Sequence, residues 1–582
     1  MGATWMRSLV AGAAVAAAAG GVSPFVGPVG ARLAPASASV IVQGDDPAGA
    51  VRALGGTVTF DLPIVGGVAA QVPADSVDRL RGMAGVRAVT ADAPVRMQAS
   101  LTTSTNTNAS TVNSVFAREV QADLLWAEGI TGKGVRVALI DTGVTAVPDL
   151  RGRIVTDLPD PVTEGAVGAC ANFAGDGTCD DQYGHGTFLA GLIAGNGAAS
   201  GGVFRGVAPE AEIVSIKIAG RDGSSDVSKL LAAIQYVVSF REELGIDVLN
   251  LSLGTDSKQS YRTDPLNYAV QQAWRSGITV VVAAGNLPPA QGPRSGTISK
   301  PADDPFVITT GATDDRETPA TSDDRVPNFS SRGPAPEGVG KPDVTAPGAR
   351  VVSLRAPGSH VETVVGGGVV GTPYRRGSGT SMSAAVVSGV AAVVLDANDE
   401  AWSPNQVKAA LTRTTTKVGL TDPAAVGAGM VQAYRAAKLA DPGEANVGVE
   451  PGNGMGSLDA SRGTVQVDGP CSPVERQLDP ACRKTLDGDD TATGEPFSPK
   501  EFVEQGNWDD TDWYMSQWAN PTLLGTSWYG TSWYGTSWYG TSWYGTSWYG
   551  TSWYGSSWDG DAEPTTNYGT PIPGGAWYGA WQ

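Results

Sequence analysis

The chain has 582 residues and a mass of 59.6 kDa, which predicts about four folding units. With 41% hydrophobic and 17% charged residues, it is neither apolar enough for a protein with many membrane spans nor polar enough for wholesale disorder. The formal charge is −19, which argues against nucleic acid as a partner, because a phosphate backbone requires clustered cations.

Residues 1–38 have the pattern of a secretory signal peptide. Arg7 precedes an uncharged stretch at residues 8–22, and residues 36–38 (Ala-Ser-Ala) form an A-x-A cleavage pattern. The uncharged stretch is shorter than a bilayer span. We therefore expect cleavage after Ala38 and a secreted, extracellular protein, with association to the cell surface left open. The alternative is an uncleaved anchor or a buried helix.

Residues 39–98 alternate short strand-like and helix-like runs. Strand-like runs occupy residues 40–42, 57–60, 68–72 and 86–89, and helix-like runs occupy residues 48–54 and 74–83. The order β-α-β-β-α-β is that of a split βαβ unit, a ferredoxin-like α+β fold. We expect this segment to form a small independent domain.

Residues 99–117 are predicted to be a linker. The part from Ala99 to Ser114 is rich in Thr, Asn and Ser and has no hydrophobic periodicity. An exposed segment of this kind is accessible to a protease.

Residues 118–440 alternate apolar strand patterns with helical patterns. Continuous Val- and Ile-rich runs separated by helices predict a parallel, doubly wound α/β sheet with helices on both faces. Polar functional groups are then expected at the carboxyl ends of the strands. The predicted strands are residues 135–140, 213–218, 248–253, 279–283 and 306–310, and the predicted helices are residues 226–240, with Asp226 as the N-cap, and 265–276.

Residues 441–582 form an acidic tail. They hold 19 acidic and 5 basic residues, a formal charge of −14, and residues 441–525 are rich in Gly and Pro. Residues 526–555 are six copies of Thr-Ser-Trp-Tyr-Gly, and 12 of the 16 Trp lie in the tail. A five-residue period places the aromatic side chains on no single face of a helix or strand. We therefore expect a largely disordered tail; the repeats are either a spacer without a ligand or an aromatic platform for a surface.

The four cysteines form two close pairs in the sequence, Cys170 with Cys179 and Cys471 with Cys482. Local pairing into two disulfides is expected in an exported protein; four free thiols are the alternative. The spacing does not match a C-x-x-C zinc site.

Three short motifs carry the polar groups of one chemistry. Residues 138–143 (Ala-Leu-Ile-Asp-Thr-Gly) end an apolar strand on Asp141. Residues 184–187 (Gly-His-Gly-Thr) place His185 at the start of a helix, and residues 377–385 place Ser381 after glycines that lead into another helix. A serine hydroxyl becomes a nucleophile when an imidazole takes its proton and a carboxylate orients that imidazole. His185 and His360 are the only histidines, so the sequence offers two candidates for this base.

The order Asp, His, Ser and these motifs resemble the subtilisin-like serine peptidases over residues 118–440. The resemblance implies that Asp141 is the orienting acid, His185 the general base and acid, and Ser381 the nucleophile. It also implies that Asn286 supplies an oxyanion-hole amide. The same resemblance implies that residues 39–98 are an inhibitory propeptide and that the chemistry requires no cofactor. The segment that would pair with the substrate backbone contains Ser252, Leu253 and Gly254.

Two further groups of residues are expected to lie outside the catalytic chemistry. His360 follows Pro357-Gly358-Ser359, which predicts an exposed loop histidine. Asp176, Asp180 and Asp181 lie close to His185 in the sequence, but EF-hand spacing is absent. Solvated loop carboxylates are therefore the expected reading, and a structural calcium ion is the alternative.

Two functions from different classes compete. The first is a secreted serine endopeptidase made as a zymogen, with polypeptide substrates and its own propeptide as partners. The second is a binding protein for the cell wall or another surface, in which the Trp-Tyr repeats do the work and the peptidase domain is idle. Labelling by a fluorophosphonate that depends on Ser381 would favour the enzyme.

Overall fold

The structure is a computed structural model of the chain. It describes residues 37–97, 100–101, 112, 114–161, 166–255, 257, 259–286, 296–364, 368–419 and 422–456. The predicted signal sequence, apart from its last two residues, and the Trp-Tyr repeats lie outside the described residues.

The N-terminal domain, residues 37–97, has the predicted β-α-β-β-α-β order. Its main sheet is antiparallel, with the strand order β2-β3-β1-β4. The elements are β1 (Ser37–Gly44), α1 (Pro47–Ala53), β2 (Thr57–Leu62), β3 (Gly67–Pro73), α2 (Val77–Arg81) and β4 (Val86–Ala91), followed by β5 (Pro94–Met97).

The central domain, residues 114–456, is built on a seven-stranded parallel sheet with the order β10-β11-β7-β13-β15-β16-β17. This confirms the predicted α/β fold class. A short strand, β6 (Ser100–Leu101), precedes this domain. The remaining strands are β7 (Arg136–Asp141), β8 (Leu158–Pro159), β9 (Val167–Gly168), β10 (Ala171–Asn172), β11 (Glu212–Lys217), β12 (Ser225–Asp226), β13 (Ile246–Leu251), β14 (Leu253–Gly254), β15 (Thr279–Ala283), β16 (Ile308–Thr313), β17 (Val344–Pro347), β18 (Val351–Leu354), β19 (Val369–Val370) and β20 (Tyr374–Ser378).

The helices of the central domain pack on this sheet in two groups. Helices α5 and α10 contact each other and the sheet, and α6 and α8 form a second contacting pair. The helices are α3 (Phe116–Glu119), α4 (Ala122–Trp126), α5 (His185–Ala194), α6 (Val227–Ser239), α7 (Arg241–Leu244), α8 (Pro265–Arg275), α9 (His360–Val364), α10 (Thr380–Asp396), α11 (Pro404–Arg413), α12 (Pro423–Val426) and α13 (Ala433–Ala437).

The sequence explains where these elements start and why they are buried. Helix α6 begins after Asp226, whose side chain accepts a hydrogen bond from the Lys229 N–H, as predicted for an N-cap. The central strands β7, β13 and β15 are almost entirely buried, as expected for parallel strands covered on both faces. Helices α5 and α10 are buried on all faces and largely apolar, as expected for helices inside a domain.

The N-terminal domain docks on helices α6 and α8. Ile41, Leu62 and Ala69 belong to the same hydrophobic cluster as the central core. The Gln235 side chain on α6 accepts a hydrogen bond from the Ile64 N–H at 3.0 Å. Strand β5 then continues into the central domain, where it pairs with β12 and β14. In the described part of the chain, no helix has the length and apolar character needed to cross a bilayer.

Candidate active site

The predicted catalytic residues lie at the carboxyl end of one central strand and at two helix starts. Asp141 is the last residue of β7, His185 is the first residue of α5, and Ser381 lies in the first turn of α10. Their side chains are at most 1% exposed. This is the edge of a parallel sheet at which functional groups are expected.

The Asp141 carboxylate contacts the His185 imidazole. His185 Nδ1 lies 2.8 Å from Asp141 Oδ1 and 2.9 Å from Oδ2. A carboxylate bonded to Nδ1 places a proton there and leaves Nε2 as the acceptor. Within the described residues, Nε2 is buried and has no hydrogen-bond partner. The pair therefore has the arrangement of an oriented general base.

The Ser381 hydroxyl lies beside the segment that precedes β14. It donates a hydrogen bond to the Ser252 carbonyl oxygen at 3.1 Å, and the Ser252 hydroxyl, which donates to Asn250 Oδ1 at 2.9 Å, lies 3.2 Å from the Ser381 carbonyl oxygen. Among the described contacts, Ser381 Oγ is therefore bonded to Ser252 and not to His185 Nε2. The Ser381 hydroxyl must therefore release the Ser252 carbonyl oxygen before the imidazole can take its proton.

Asn286 is held by the residue that precedes the serine. Its Oδ1 accepts hydrogen bonds from the Thr380 N–H at 2.9 Å and from the Thr380 hydroxyl at 3.0 Å. The Gly285 N–H donates to the same hydroxyl at 3.1 Å. These contacts fix the amide plane, with Nδ2 turned away from Thr380. The amide is thus oriented next to the start of helix α10.

The predicted substrate-pairing residues line a strand that is occupied in this structure. Ser252, Leu253 and Gly254 are buried, and β14 pairs with β5 in the register Leu253↔Met97 and Gly254↔Arg96. Strand β5 also pairs with β12 on its other side. The N-terminal domain therefore contributes the middle strand of a three-stranded sheet at the candidate site.

The loop before α5 contains a buried residue that sequence reasoning did not assign to the site. Asp181 is 3% exposed and accepts a hydrogen bond from the Thr142 hydroxyl at 2.8 Å. Burial is the largest cause of the raised pKa of Asp181, and hydrogen bonds from Thr187, Gly184 and Thr142 act against it. The expectation of a solvated loop carboxylate is therefore wrong for Asp181, whose only sequence signal is its place among three acids near His185.

The three acids considered for calcium have separate partners. Asp176 pairs with the buried Lys217 ammonium at 2.7 Å, Asp180 is exposed, and Asp181 faces Thr142. The described residues contain no group of three or more His, Cys, Asp or Glu arranged to hold a metal ion. The arrangement of these acids therefore lends no support to the calcium alternative.

Cys170 and Cys179 form a disulfide, which confirms the first predicted pair. It closes the loop that leads to His185. Cys471 and Cys482 lie outside the described residues, so their pairing stays a prediction. The same holds for surface binding by the Trp-Tyr repeats.

The prediction of an exposed loop histidine at position 360 is wrong. His360 begins helix α9 and is partly buried, because its ring stacks on Tyr183 with the ring centroids 5.8 Å apart. Its N–H donates to the Gln182 carbonyl oxygen at 2.7 Å. Burial and the nearby Arg221 lower the pKa of His360. It therefore supports the loop that carries His185.

The central part of the chain is similar to known proteins. The sequence profile of the Subtilase family matches residues 132–429. The chain is 40% identical to serine protease AprX of Bacillus subtilis (strain 168) over 311 residues, which cover 52% of this chain and 66% of AprX. It is 33% identical to subtilisin Savinase of Lederbergia lenta over 319 residues, which cover 55% of this chain and 96% of Savinase.

A solved structure extends the comparison. Fervidolysin from Fervidobacterium pennivorans, a keratinolytic enzyme related to subtilisin, superimposes with a TM-score of 0.53 at 25% identity. The match covers 69% of this chain and 61% of the fervidolysin chain. Asp141, His185, Asn286 and Ser381 all lie within the residues that the family profile matches.

Proposed function

This chain belongs to the subtilase family of serine peptidases, and from that premise we propose that it is a secreted endopeptidase that hydrolyses peptide bonds with Asp141, His185 and Ser381. One observation carries the proposal. The Asp141 carboxylate binds His185 Nδ1 in a buried position and leaves Nε2 as an acceptor at the sheet edge where the helix of Ser381 begins.

The proposed chemistry is acyl transfer. His185 Nε2 takes the proton of the Ser381 hydroxyl, and Oγ forms a bond to the carbonyl carbon of the substrate. The carbon–nitrogen bond then breaks, and the departing amine takes its proton from His185. Water then attacks the acyl-enzyme. His185 takes a proton from this water and returns it to Ser381 Oγ when the acid product leaves. Asp141 stabilises the imidazolium that exists between these steps.

The start of helix α10 suits the charge that develops on the carbonyl oxygen. The backbone N–H groups at a helix N-terminus carry partial positive charge, and Ser381 lies in that first turn. The Asn286 amide, fixed by Thr380, supplies a second donor. A donor of this kind is worth about 10²- to 10³-fold in turnover, so we expect Asn286→Ala to lower kcat by that factor.

The substrate is a polypeptide in extended conformation. Strand β14 offers backbone groups to an antiparallel partner, and this mode of binding reads the main chain of the substrate. Because β5 holds that position in the structure, the N-terminal domain acts as an occupant of the cleft. Residues 39–98 are accordingly an inhibitory propeptide of a zymogen.

The strand registers indicate where the propeptide is cut. Strand β5 ends at Met97 opposite Leu253, and β6 begins at Ser100 opposite Ser378, three residues before the nucleophile. The bond that is cut is therefore expected between Met97 and Ser100. The predicted propeptide boundary after residue 98 falls within this interval.

A fluorophosphonate probe tests the function. Labelling of the wild-type chain and not of Ser381→Ala is expected, together with loss of peptide hydrolysis in the variant. Ser381→Ala should remain full length through residue 98, and mature wild-type protein should begin at or after Ala99. Absence of labelling in fully processed protein would exclude the serine mechanism; an intact precursor with full activity would exclude the zymogen.

A further inference from the structure

The Asp181 carboxylate is one of two buried carboxylates near His185. It receives hydrogen bonds from the Gly184 N–H at 2.6 Å, the Thr187 N–H at 2.7 Å and the Thr142 hydroxyl at 2.8 Å. Burial raises the pKa of Asp181, but three donors directed at one carboxyl group match an ionised carboxylate, which only accepts, and we therefore take Asp181 as charged. No step of the proposed mechanism uses this buried charge.

Two of these donors hold the start of helix α5. The N–H groups of Gly184 and Thr187 flank His185, which is the first residue of the helix. The first N–H groups of a helix have no partner within it, and a negative charge there is stabilising. The Asp181 carboxylate therefore fixes the helix turn that carries the imidazole.

The third donor links Asp181 to the other half of the pair. The Thr142 hydroxyl lies 2.8 Å from Asp181 Oδ1 and 3.1 Å from Asp141 Oδ1, and its oxygen accepts from the Gly186 N–H at 2.9 Å. A hydroxyl has a single hydrogen, so it bonds one carboxylate at a time. The shorter contact gives that hydrogen to Asp181 and leaves Asp141 Oδ1 to the imidazole and to the Thr142 N–H.

The loop that carries Asp181 is itself anchored. Cys179 is tied to Cys170 by the disulfide, and its carbonyl oxygen accepts from the Val144 N–H at 3.3 Å. The Lys217 ammonium at the end of β11 donates to the Asp180 carbonyl oxygen at 2.8 Å and to the Thr178 carbonyl oxygen at 3.1 Å. The carboxylate is thus held in place before any substrate binds.

We propose that Asp181 is a positioning residue for the peptidase reaction, which binds the helix turn of His185 and takes the Thr142 hydrogen so that Asp141 is left to orient the imidazole. This inference rests on the proposed function. It adds a second negative charge close to the site where His185 becomes protonated. The other charged and titratable groups around this cluster are Asp141 on β7, Lys217 paired with Asp176, and His360 on α9.

Asp181→Asn tests the proposal in the mature full chain. We expect kcat to fall about 10- to 100-fold, because the imidazole is less well placed, and KM to change less than about twofold. Loss of the negative charge disfavours the imidazolium, and the Thr142 hydrogen becomes available to Asp141. The acidic limb of the kcat/KM profile should therefore move to lower pH by roughly one unit.

The matched control is Asp180→Asn, which removes an exposed charge one residue away and leaves the Asp180 carbonyl oxygen in place. Its pH profile and kcat should equal those of the wild type. If Asp181→Asn fails to fold, Thr142→Val removes the shared hydrogen and should lower kcat with the same unchanged KM. An unshifted acidic limb in Asp181→Asn, or an equal shift in Asp180→Asn, overturns the proposal.

The ring titration of His185 separates this proposal from the proposed function. The chain has two histidines, so nuclear magnetic resonance of ¹⁵N-histidine protein resolves both, with His360→Gln for assignment. In a Ser381→Ala background no catalysis is needed. Asp181→Asn should lower the titration midpoint of His185 by roughly one unit; no change refutes the positioning role, whatever the peptidase assays show.

Discussion

The two main sheets of the molecule are covered in different ways. The seven-stranded sheet lies between helices of its own domain, whereas the N-terminal sheet has its own helices α1 and α2 on one face only. Alternate residues of β1 show this directly. Val40 and Val42 belong to the small cluster with α1 and α2, and Ile41 belongs to the core of the central domain.

This difference separates a self-sufficient domain from a dependent one, and it argues against the expected independence of the N-terminal domain. Ile41, Leu62, Val65 and Ala69 are at most 5% exposed because α6 and α8 cover them. Without that cover, a sheet of about 60 residues would present an apolar face to water, and domains of this size are marginal even when intact. Binding and folding of the N-terminal domain are therefore one event, and its release favours its own unfolding.

The largest expected effect follows from separating the two regions. We expect residues 37–97, produced alone, to be largely unfolded, and to gain β structure on addition of a Ser381→Ala central domain produced as a separate chain. Far-ultraviolet circular dichroism measures both states. A cooperative thermal transition of the isolated segment would contradict the comparison.

The docking face itself gives the next effect. Leu62→Ala removes a fully buried side chain from the interface, and such a change costs about 2–5 kcal/mol. Inhibition by the added N-terminal domain should weaken by about 30-fold or more. Arg52→Ala, on the exposed side of α1, is the control and should inhibit like the wild type. An equal inhibition constant for both variants would refute docking through this face.

A smaller effect is expected from pH. Asp92 accepts a hydrogen bond from the Ser228 N–H at 2.6 Å, next to Asp226 at the start of α6. Burial and, second, the Asp226 charge raise the pKa of Asp92 to about 8, although Lys229 acts against this shift. The N-terminal domain binds more tightly when Asp92 is protonated. Its affinity is therefore highest below about pH 4 and falls as the pH rises to about 8.

Asp92→Asn tests this dependence. The amide keeps an oxygen for the Ser228 N–H and removes the repulsion from Asp226, so inhibition should vary little with pH. The wild-type domain should bind about tenfold or more weakly at pH 8 than at pH 5. Inhibition constants at both pH values provide the measurement, and Asp78→Asn, an exposed acid on α2, is the control. Parallel pH profiles for Asp92→Asn and the wild type would contradict the assignment.

Much of this arrangement could be predicted from the sequence. The β-α-β-β-α-β order, the parallel strands and the Asp226 cap follow from local periodicity and capping chemistry. The contact of Asp141 with His185 follows from two motifs, each of which lies where a strand ends or a helix begins. The triad geometry beyond that contact remains part of the proposed function.

Other features depend on partners far away in the chain. Ser100 and Leu101 lie in the predicted linker, yet they form a strand with residues 377–378, and no local pattern signals that pairing. The role of Asp181 depends on backbone N–H groups that exist only once α5 has formed. The burial of His360 could not be predicted, because it comes from Tyr183, which no local signal links to it.

The central domain has its own pair of buried acids, which responds to pH over a wider range. Glu119, at the end of α3, and Asp324 are each 2% exposed, and within the described residues no donor serves their carboxyl oxygens. Burial and contact with Asp324 raise the pKa of Glu119 to about 11. Burial also raises the pKa of Asp324 to about 6. One shared proton is therefore the simplest bond between them.

Glu119→Gln replaces the shared proton with an amide N–H, which donates to the Asp324 carboxylate at every pH. In the wild type the contribution of the pair is complete below about pH 4.5 and is lost as the pH rises to about 11, so the variant should gain a few degrees in Tm at pH 9 and nothing at pH 4. Calorimetry of the mature protein, with exposed Glu444→Gln as the control, measures this gain. Above pH 8 the titration of Asp92 is largely complete and lowers the affinity of the N-terminal domain no further. The stability of the central domain still falls in this range. The two regions therefore differ in pH range as they do in burial, and an equal Tm for variant and wild type at pH 9 would remove that second difference.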